Sequence, residues 1–446
     1  MKTIPINDAD ESAIAQRCLA RVRLRVIPVV MLLYFVAYLD RNNVGFAAPE
    51  LRHDVGLTAA SFGFGAGIFF IGYFLFEVPS NAGMHRFGAR RWMARILVSW
   101  GICAAALALV RSAWTFDLIR FLLGAAEAGF SPAILYFFTL WFPERERARA
   151  LGFFVLTQPI ANAIGAPVSG LLLSMDGILG LHGWQWLFIL EGIPAVVLGL
   201  LAPFLLTDRP EAAAWLPDDE RRWLAGRLRD EAGSRTAAAD NGFMAGIKDR
   251  RFMVYAALNF GLICGVYGLS VWLPTIVRAL SGMTALGTGF LVLVPYSVAA
   301  VATFVVSRRA ARTGKIAQHA SISIAVAAAA LVGAGLTLPV SAVASMACLC
   351  VACAGIYASI APLLAMPSGV LCGAGAAAGL AVTNSVGNLA GFLSPYAVGL
   401  LKGWTGGDRA GLFFLGACLV ATSIGVFFYA RHRPEGLLRT VPASPL

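Results

Sequence analysis

Polar residues are confined to short intervals along this chain. Between them lie apolar runs of about 20 residues, long enough to cross the hydrocarbon core of a bilayer as helices. Six such runs fall near residues 26–48, 59–84, 92–110, 113–142, 149–174 and 184–206. Six more lie near 252–277, 285–306, 316–336, 341–366, 372–400 and 409–430. The alternation of apolar and polar residues that marks a membrane β-barrel strand is missing from all of them. The pattern predicts an all-α polytopic membrane protein with twelve transmembrane helices. One long polar interval, 207–251, divides the helices into two sets of six; it carries Asp218-Asp219-Glu220-Arg221-Arg222 and an amphipathic piece over Trp223–Arg229. The expected organisation is a cytosolic N-terminal tail (1–25), a six-helix bundle (26–206), a cytosolic central loop (207–251), a second six-helix bundle (252–430) and a cytosolic C-terminal tail (431–446).

Composition agrees with the pattern and narrows it. Of the 446 residues, 59% are hydrophobic and 13% charged, against about 25% charged in a soluble domain, and the mean hydropathy is +0.75. A formal charge of +11 raises the question of nucleic-acid binding, but the basic residues lie between apolar runs instead of on one face of a soluble domain, so that class is set aside. Their distribution sets the topology instead. The intervals on one side hold 28 Lys and Arg, and those on the other hold five: Arg52, Arg111, Arg278, Lys402 and Arg409. By the positive-inside rule both termini are cytosolic. Residues 1–25 are polar and lack the apolar core of a cleavable signal peptide.

Seven of the eight cysteines sit inside apolar runs. Cys348, Cys350 and Cys353 have no histidine or carboxylate beside them, which favours packing over metal binding. No metal or nucleophile constellation such as H-E-x-x-H is present, so neither enzyme activity nor a cofactor is expected. The five histidines, His53, His85, His182, His319 and His432, fall in or near the polar intervals. A proton relay in the membrane would have to use carboxylates.

Ionisable residues inside spans are costly and mark pathways or relays. Away from the ends of the runs they are Asp40, Arg41, Glu77, Arg120, Glu127 and Glu191, all in the first bundle. Arg120 and Glu127 are seven residues apart and return to nearly one helical face, with Gly124 between them and Gly129 beyond keeping the helix slim. Asp40 and Arg41 point about 100° apart, so one can face a cavity while the other meets a neighbouring helix. Tyr34 and Tyr38 share the face of Arg41, and a guanidinium flanked by phenols suits a carboxylate ligand. The competing reading is a set of ion pairs that only fasten helices together, for example Asp40 with Arg120. For Glu77, beside Pro79, and Glu191, followed by Gly192 and Pro194, this structural reading is preferred. Gln158 with Asn162, and Asn384 with Asn388, each line one helical face as candidate ligands, and interhelical hydrogen bonding is their alternative.

The two halves echo each other at one cytosolic loop. Arg86-Phe87-Gly88-Ala89-Arg90-Arg91 follows the second run, and Arg312-Thr313-Gly314-Lys315 follows the eighth. Such a repeat suits two bundles related by an axis along the membrane normal.

Longer motifs carry a resemblance. They are Tyr38-Leu39-Asp40-Arg41-Asn42-Asn43-Val44-Gly45-Phe46-Ala47, Gly67-Ile68-Phe69-Phe70-Ile71-Gly72-Tyr73 through Glu77-Val78-Pro79-Ser80-Asn81, Gly88-Ala89-Arg90-Arg91-Trp92, and Asn384-Ser385-Val386-Gly387-Asn388 with Gly391-Phe392. Over nearly the whole chain these resemble the anion:cation symporters of the major facilitator superfamily, and within them the tartrate and related organic-acid permeases of bacteria. The resemblance implies two pseudo-symmetric six-helix bundles in a bacterial inner membrane. It implies alternating access and import of a small organic anion together with protons. By position, Asp40 and Glu127 would be the proton-coupled carboxylates and Arg41 the anion clamp. Arg120 would sit near Glu127, while Tyr38, Tyr73, Gln158 and Asn384 would contact substrate, with Arg86, Gly88, Arg90, Arg312 and Gly314 forming the gating loops. The chain departs from the superfamily in having His85 and Ala311 where an Asp usually precedes Arg-x-Gly, and Leu364-Ala365-Met366 where an aromatic residue often precedes the proline that is here Pro367. The expected partners are the organic anion, protons and lipid, with the chain working as a monomer. The rival functions are proton-coupled export of organic compounds and passive facilitation on the same fold.

Overall fold

The computed structural model describes residues 8–236, 249–366 and 373–431. The first seven residues, part of the central loop, Pro367, Cys372, His432 and the rest of the C-terminal tail lie outside the described residues. In the first half the helices are α1 (Asp8–Val55), α2 (Ala59–Phe87), α3 (Ala89–Ala106), α4 (Ala113–Glu127), α5 (Phe130–Trp141), α6 (Glu144–Leu173) and α7 (Gly183–Leu205). A polar helix, α8 (Asp218–Thr236), separates these from α9 (Arg250–Ser281), α10 (Ala285–Thr313), α11 (Ile316–Thr337), α12 (Ala342–Ala365), α13 (Gly373–Thr405) and α14 (Arg409–Arg431).

With α4 and α5 counted as one broken span, these make the twelve crossings of the two-bundle fold. Among the described residues, eleven spans are long and apolar enough to cross a membrane by composition alone. The twelfth crossing is α13, 33 residues long, whose middle carries Asn384 and Asn388.

Four spans that start on the outer side begin with a side-chain cap. Thr58, Ser112, Thr284 and Ser341 accept hydrogen bonds from the backbone N–H groups of Ser61, Thr115, Gly287 and Ala344, which satisfies donors that lipid would leave unpaired. The fourth span breaks at Gly129, whose φ of +85° is a left-handed conformation that a side chain disfavours. The first helix starts far before the first apolar run. Cys18, Val22 and Val26 form a buried stripe on its cytosolic extension, and Arg21 Nη1 reaches Glu220 of α8 at 2.9 Å. Packing against α8 therefore makes a helix of a segment whose polarity alone suggested a tail.

The bundles meet chiefly along three helix pairs: α1 with α9, α2 with α13, and α6 with α10. In the outer half these contacts are backbone to backbone. A Cβ added at Gly45 would lie 2.6 Å from the carbonyl oxygen of Val271, one at Gly67 2.6 Å from that of Phe392, and one at Gly289 2.5 Å from that of Ala166. Nothing larger than hydrogen fits at these three points. Arg278 and Glu50 form an ion pair across the same outer seam.

Candidate functional site

Arg41 sits on α1 near the middle of the membrane and is buried. Its Nη2 pairs with Glu127 Oε1, at the last residue of α4, and the carboxylate is also buried. Its Nη1 donates to the phenol of Tyr267 on α9 at 3.0 Å. The guanidinium lies over the rings of Tyr38, Phe69 and Tyr73, at 5.2, 5.5 and 5.7 Å from their centroids. Aromatic faces and a carboxylate offset the cost of burying the cation. Tyr34 extends the aromatic layer, edge-on to Tyr38 at 4.8 Å and stacked on Phe154 at 3.9 Å.

Arg120 is close by but has other partners. Its Nη2 donates to the Ala66 carbonyl at 2.8 Å and its Nε to that of Gly65 at 3.3 Å, both on α2. It shares the ring of Phe69 with Arg41, at 4.9 Å, while Nη1 has no hydrogen-bond partner. Both arginines therefore lie against the ring of Phe69. The Asp40–Arg120 ion pair weighed from sequence does not form, because Asp40 turns the other way round α1. Asp40 Oδ2 accepts from Trp100 Nε1 of α3 at 2.6 Å.

A chain of amides and phenols extends the layer towards the second bundle. Asn42 Nδ2 donates to Asn162 Oδ1 on α6 at 2.5 Å. Asn162 Nδ2 in turn donates to the phenol of Tyr357 on α12 at 2.8 Å. Tyr357 meets Tyr296 of α10 edge-on at 5.8 Å. Gln158, one turn before Asn162, is buried on the same helix. Tyr38, Asn42, Asn43, Asn162, Ser169 and Tyr296 help line a cavity of about 10 Å³, room for about one water. Anything larger than a water needs the bundles to separate before it can enter.

On the cytosolic side of this layer, Glu77 of α2 ties the bundles together. Asn384 Nδ2 donates to its Oε1 and Asn388 Nδ2 to its Oε2, the latter at 3.1 Å. The two asparagines do share a face, as their spacing predicts, and that face meets Glu77 rather than Arg41. Glu77 is buried and Asn384 is exposed.

At the first cytosolic loop Gly88 has a φ of +87° and joins α2 to α3. The Arg90 backbone N–H donates to Asp208 Oδ1 at 2.9 Å, and its guanidinium lies 3.5 Å from Oδ2. Asp208 follows α7, so a carboxylate from the start of the central loop serves this loop although His85 stands at the usual acidic position. Arg86 lies over Phe87 at 5.4 Å. Gly314 ends α10 with a φ of +68°, and Arg312 beside it is exposed.

Sequence reasoning did not single out Tyr267, Tyr296, Tyr357, Trp100 or Asp208. The available signal was weak: six tyrosines lie in the helices of the second bundle, whose described spans carry no acid, and nothing in the sequence marks Tyr267, Tyr296 and Tyr357 among them.

The arrangement is a buried charge pair in contact with both six-helix bundles. The chain matches the family described as Major Facilitator Superfamily over residues 30–395. It belongs to the major facilitator superfamily. Among similar members is a protein of Agrobacterium vitis named "Putative tartrate transporter", 42% identical over 94% of this chain and 93% of the relative. Another is the "Quinolone resistance transporter" of Acinetobacter baumannii, 44% identical over 88% of this chain and 90% of the relative. The fold is also that of a solved bacterial homologue of the human lysosomal transporter Spinster, with a TM-score of 0.75 at 16% identity, over 95% of this chain and 99% of that one. The major facilitator assignment makes the chain a multi-pass membrane transporter of small molecules, a family and fold of transporters and not of enzymes.

Proposed function

We propose that this transporter imports a small organic carboxylate with protons across a bacterial inner membrane, and that Arg41 is its carboxylate clamp. The observation that carries the reading is the Arg41–Glu127 pair beneath Tyr38, Phe69 and Tyr73. An ionised Glu127 occupies the guanidinium and competes with any incoming carboxylate. A protonated Glu127 releases it. Substrate anion and proton then enter together, because each makes room for the other. Arg120 adds positive potential from the same platform, and Tyr267 brings the second bundle into contact with the bound group, so that binding can draw the bundles together. Gln158, Asn162 and Tyr34 complete the proposed pocket, and Asp40 is the second proton carrier. Asn384 and Asn388 would reach substrate only when Glu77 lets go of them. The relative named for tartrate supports a hydroxylated dicarboxylate; sugar acids and aromatic acids suit the same groups.

A second reading, proton-driven export of an organic compound, is favoured by the relative named for quinolone resistance. Export of an organic cation has little use for a carboxylate clamp, whereas a quinolone carries a carboxylate of its own.

Uptake by purified protein in liposomes separates the two. With pH about 5.5 outside and about 7.5 inside, labelled tartrate or another acid of a mono- and dicarboxylate panel accumulates and escapes when the gradient is collapsed. Arg41→Ala abolishes the accumulation. If no acid of the panel accumulates while a fluoroquinolone loaded inside is driven out by the same gradient, the exporter reading stands instead.

A further inference from the structure

Behind the face of α1 that carries Arg41 lies a second polar cluster, inside the first bundle. Asp40 (α1), Asn43 (α1), Ser169 (α6) and Glu191 (α7) are all buried, at 2%, 2%, 2% and 3% exposure. The backbones place them at one level. Gly101 of α3 and Gly192 of α7 pack so closely that a Cβ on Gly101 would lie 2.7 Å from the Gly192 carbonyl oxygen. Their neighbours Trp100 and Glu191 are therefore carried to the level of that crossing, and Trp100 holds Asp40 there through its 2.6 Å hydrogen bond. Ser169 donates to Glu191 Oε1 at 2.8 Å. Asp40 acts electrostatically on Glu191, and Asn43 lies beside it.

The cluster is short of one hydrogen. Asp40 Oδ1, Glu191 Oε2 and both amide atoms of Asn43 are buried without a hydrogen-bond partner. Neither carboxylate forms an ion pair, and no arginine or lysine is among the groups acting on them; the one further charge acting on Asp40 is Glu127 of α4. Two carboxylates in a dry interior without a cation cannot both stay ionised. A carboxyl hydrogen on either one supplies the missing donor, to the other carboxylate or to the Asn43 carbonyl.

We propose that Asp40 and Glu191 form a second proton site, holding one proton between them, and that Glu191 is thereby a proton-coupling residue remote from the substrate. This rests on the proton-symport reading above. The binding step places a proton on one carboxyl oxygen of the pair from the cytosolic or outer water and removes the same proton on the opposite side; no bond other than O–H changes. Arg41 and Glu127 would then serve substrate and proton together, and the Asp40–Glu191 pair protons alone.

The test compares two assays on Glu191→Gln, Glu191→Asp, Asp40→Asn and Glu127→Gln in liposomes: accumulation driven by a pH step of about two units, worth up to about 100-fold per coupled proton, and counterflow of the same acid at equal pH. Glu191→Gln is expected to lose at least about tenfold of its accumulation, to lose the dependence on external pH, and to keep counterflow. Glu191→Asp is expected to recover a pH-dependent accumulation. Full accumulation by Glu191→Gln would overturn the proposal. So would loss of counterflow in both Glu191 variants, which marks a structural role, or accumulation that follows a Na⁺ gradient, which marks a cation site. If Asp40→Asn and Glu127→Gln also keep full accumulation, proton symport itself fails; if they lose it while Glu191→Gln keeps it, only the second site fails.

Discussion

Glu127 pairs with Arg41 although the two residues come from different helices, and both are shielded from solvent. A buried pair of this kind stabilises little relative to apolar packing, but removing one partner leaves a charge stranded, at a cost of about 3–5 kcal/mol. Under the proposed function the pair works as a switch, poised between an internal carboxylate and an external one.

The switch makes acid binding depend on pH. In the wild-type protein affinity should rise as pH falls from about 8 to 5.5, because protonation of Glu127 frees the guanidinium. Glu127→Gln is a permanent copy of the protonated state. Its affinity for the transported acid should match the wild-type acid limit and stay constant across that range, measured by equilibrium binding in detergent.

Arg120 is held by two carbonyls and one ring, a geometry that a planar fork satisfies and an ammonium does not. Arg120→Lys should destabilise the protein by about 1–3 kcal/mol and lower uptake several-fold, with a smaller loss than Arg41→Ala. Thermal unfolding in detergent and initial uptake rates check the two effects separately.

The outer seal depends on atoms that are missing from glycine. Gly67→Leu cannot bring α2 against the Phe392 carbonyl, so it should favour the outward-open state and stop transport while leaving the protein folded. In a background lacking the eight native cysteines, a cysteine at Ser270, whose carbonyl faces Gly45 across the seam, should react with an impermeant maleimide faster when Gly67→Leu is present.

Asp208 caps the first turn of α3 as well as pairing with Arg90. Asp208→Ala should cost about 1 kcal/mol of stability, as the loss of an N-terminal cap does, seen as a lower unfolding temperature. Asp208→Asn should recover most of it, since the amide oxygen can still accept from the Arg90 N–H.

Spans were easy to read from the chain because lipid imposes a length and a polarity on every crossing helix. Asp40, Arg41 and Glu127 were equally legible, since an ionisable residue in such a run is conspicuous. The partners were not. Tyr267 lies 226 residues from Arg41, and nothing in the local sequence of an apolar span says which distant helix its phenol will meet. Asn384 and Asn388 share a face, as their spacing predicts, but that face is turned to Glu77, a relationship that only the docking of α2 on α13 defines. The cytosolic extension of α1 was missed for the same reason: its stripe of Cys18, Val22 and Val26 has meaning only once α8 covers it. Asp208 escaped notice because the acid at that loop comes from a different part of the chain.

Proton uptake on substrate binding is the most direct check on the Arg41–Glu127 switch. Lightly buffered protein in detergent, at pH about 7.5 with an indicator dye, is mixed with a saturating amount of the acid that accumulates in liposomes. Coupled binding predicts that protons disappear from solution, up to about one per molecule of acid bound, and that Glu127→Gln binds the acid without that uptake. Binding by the wild-type protein with no change in free protons, or the same uptake in Glu127→Gln, would contradict the role given to Glu127.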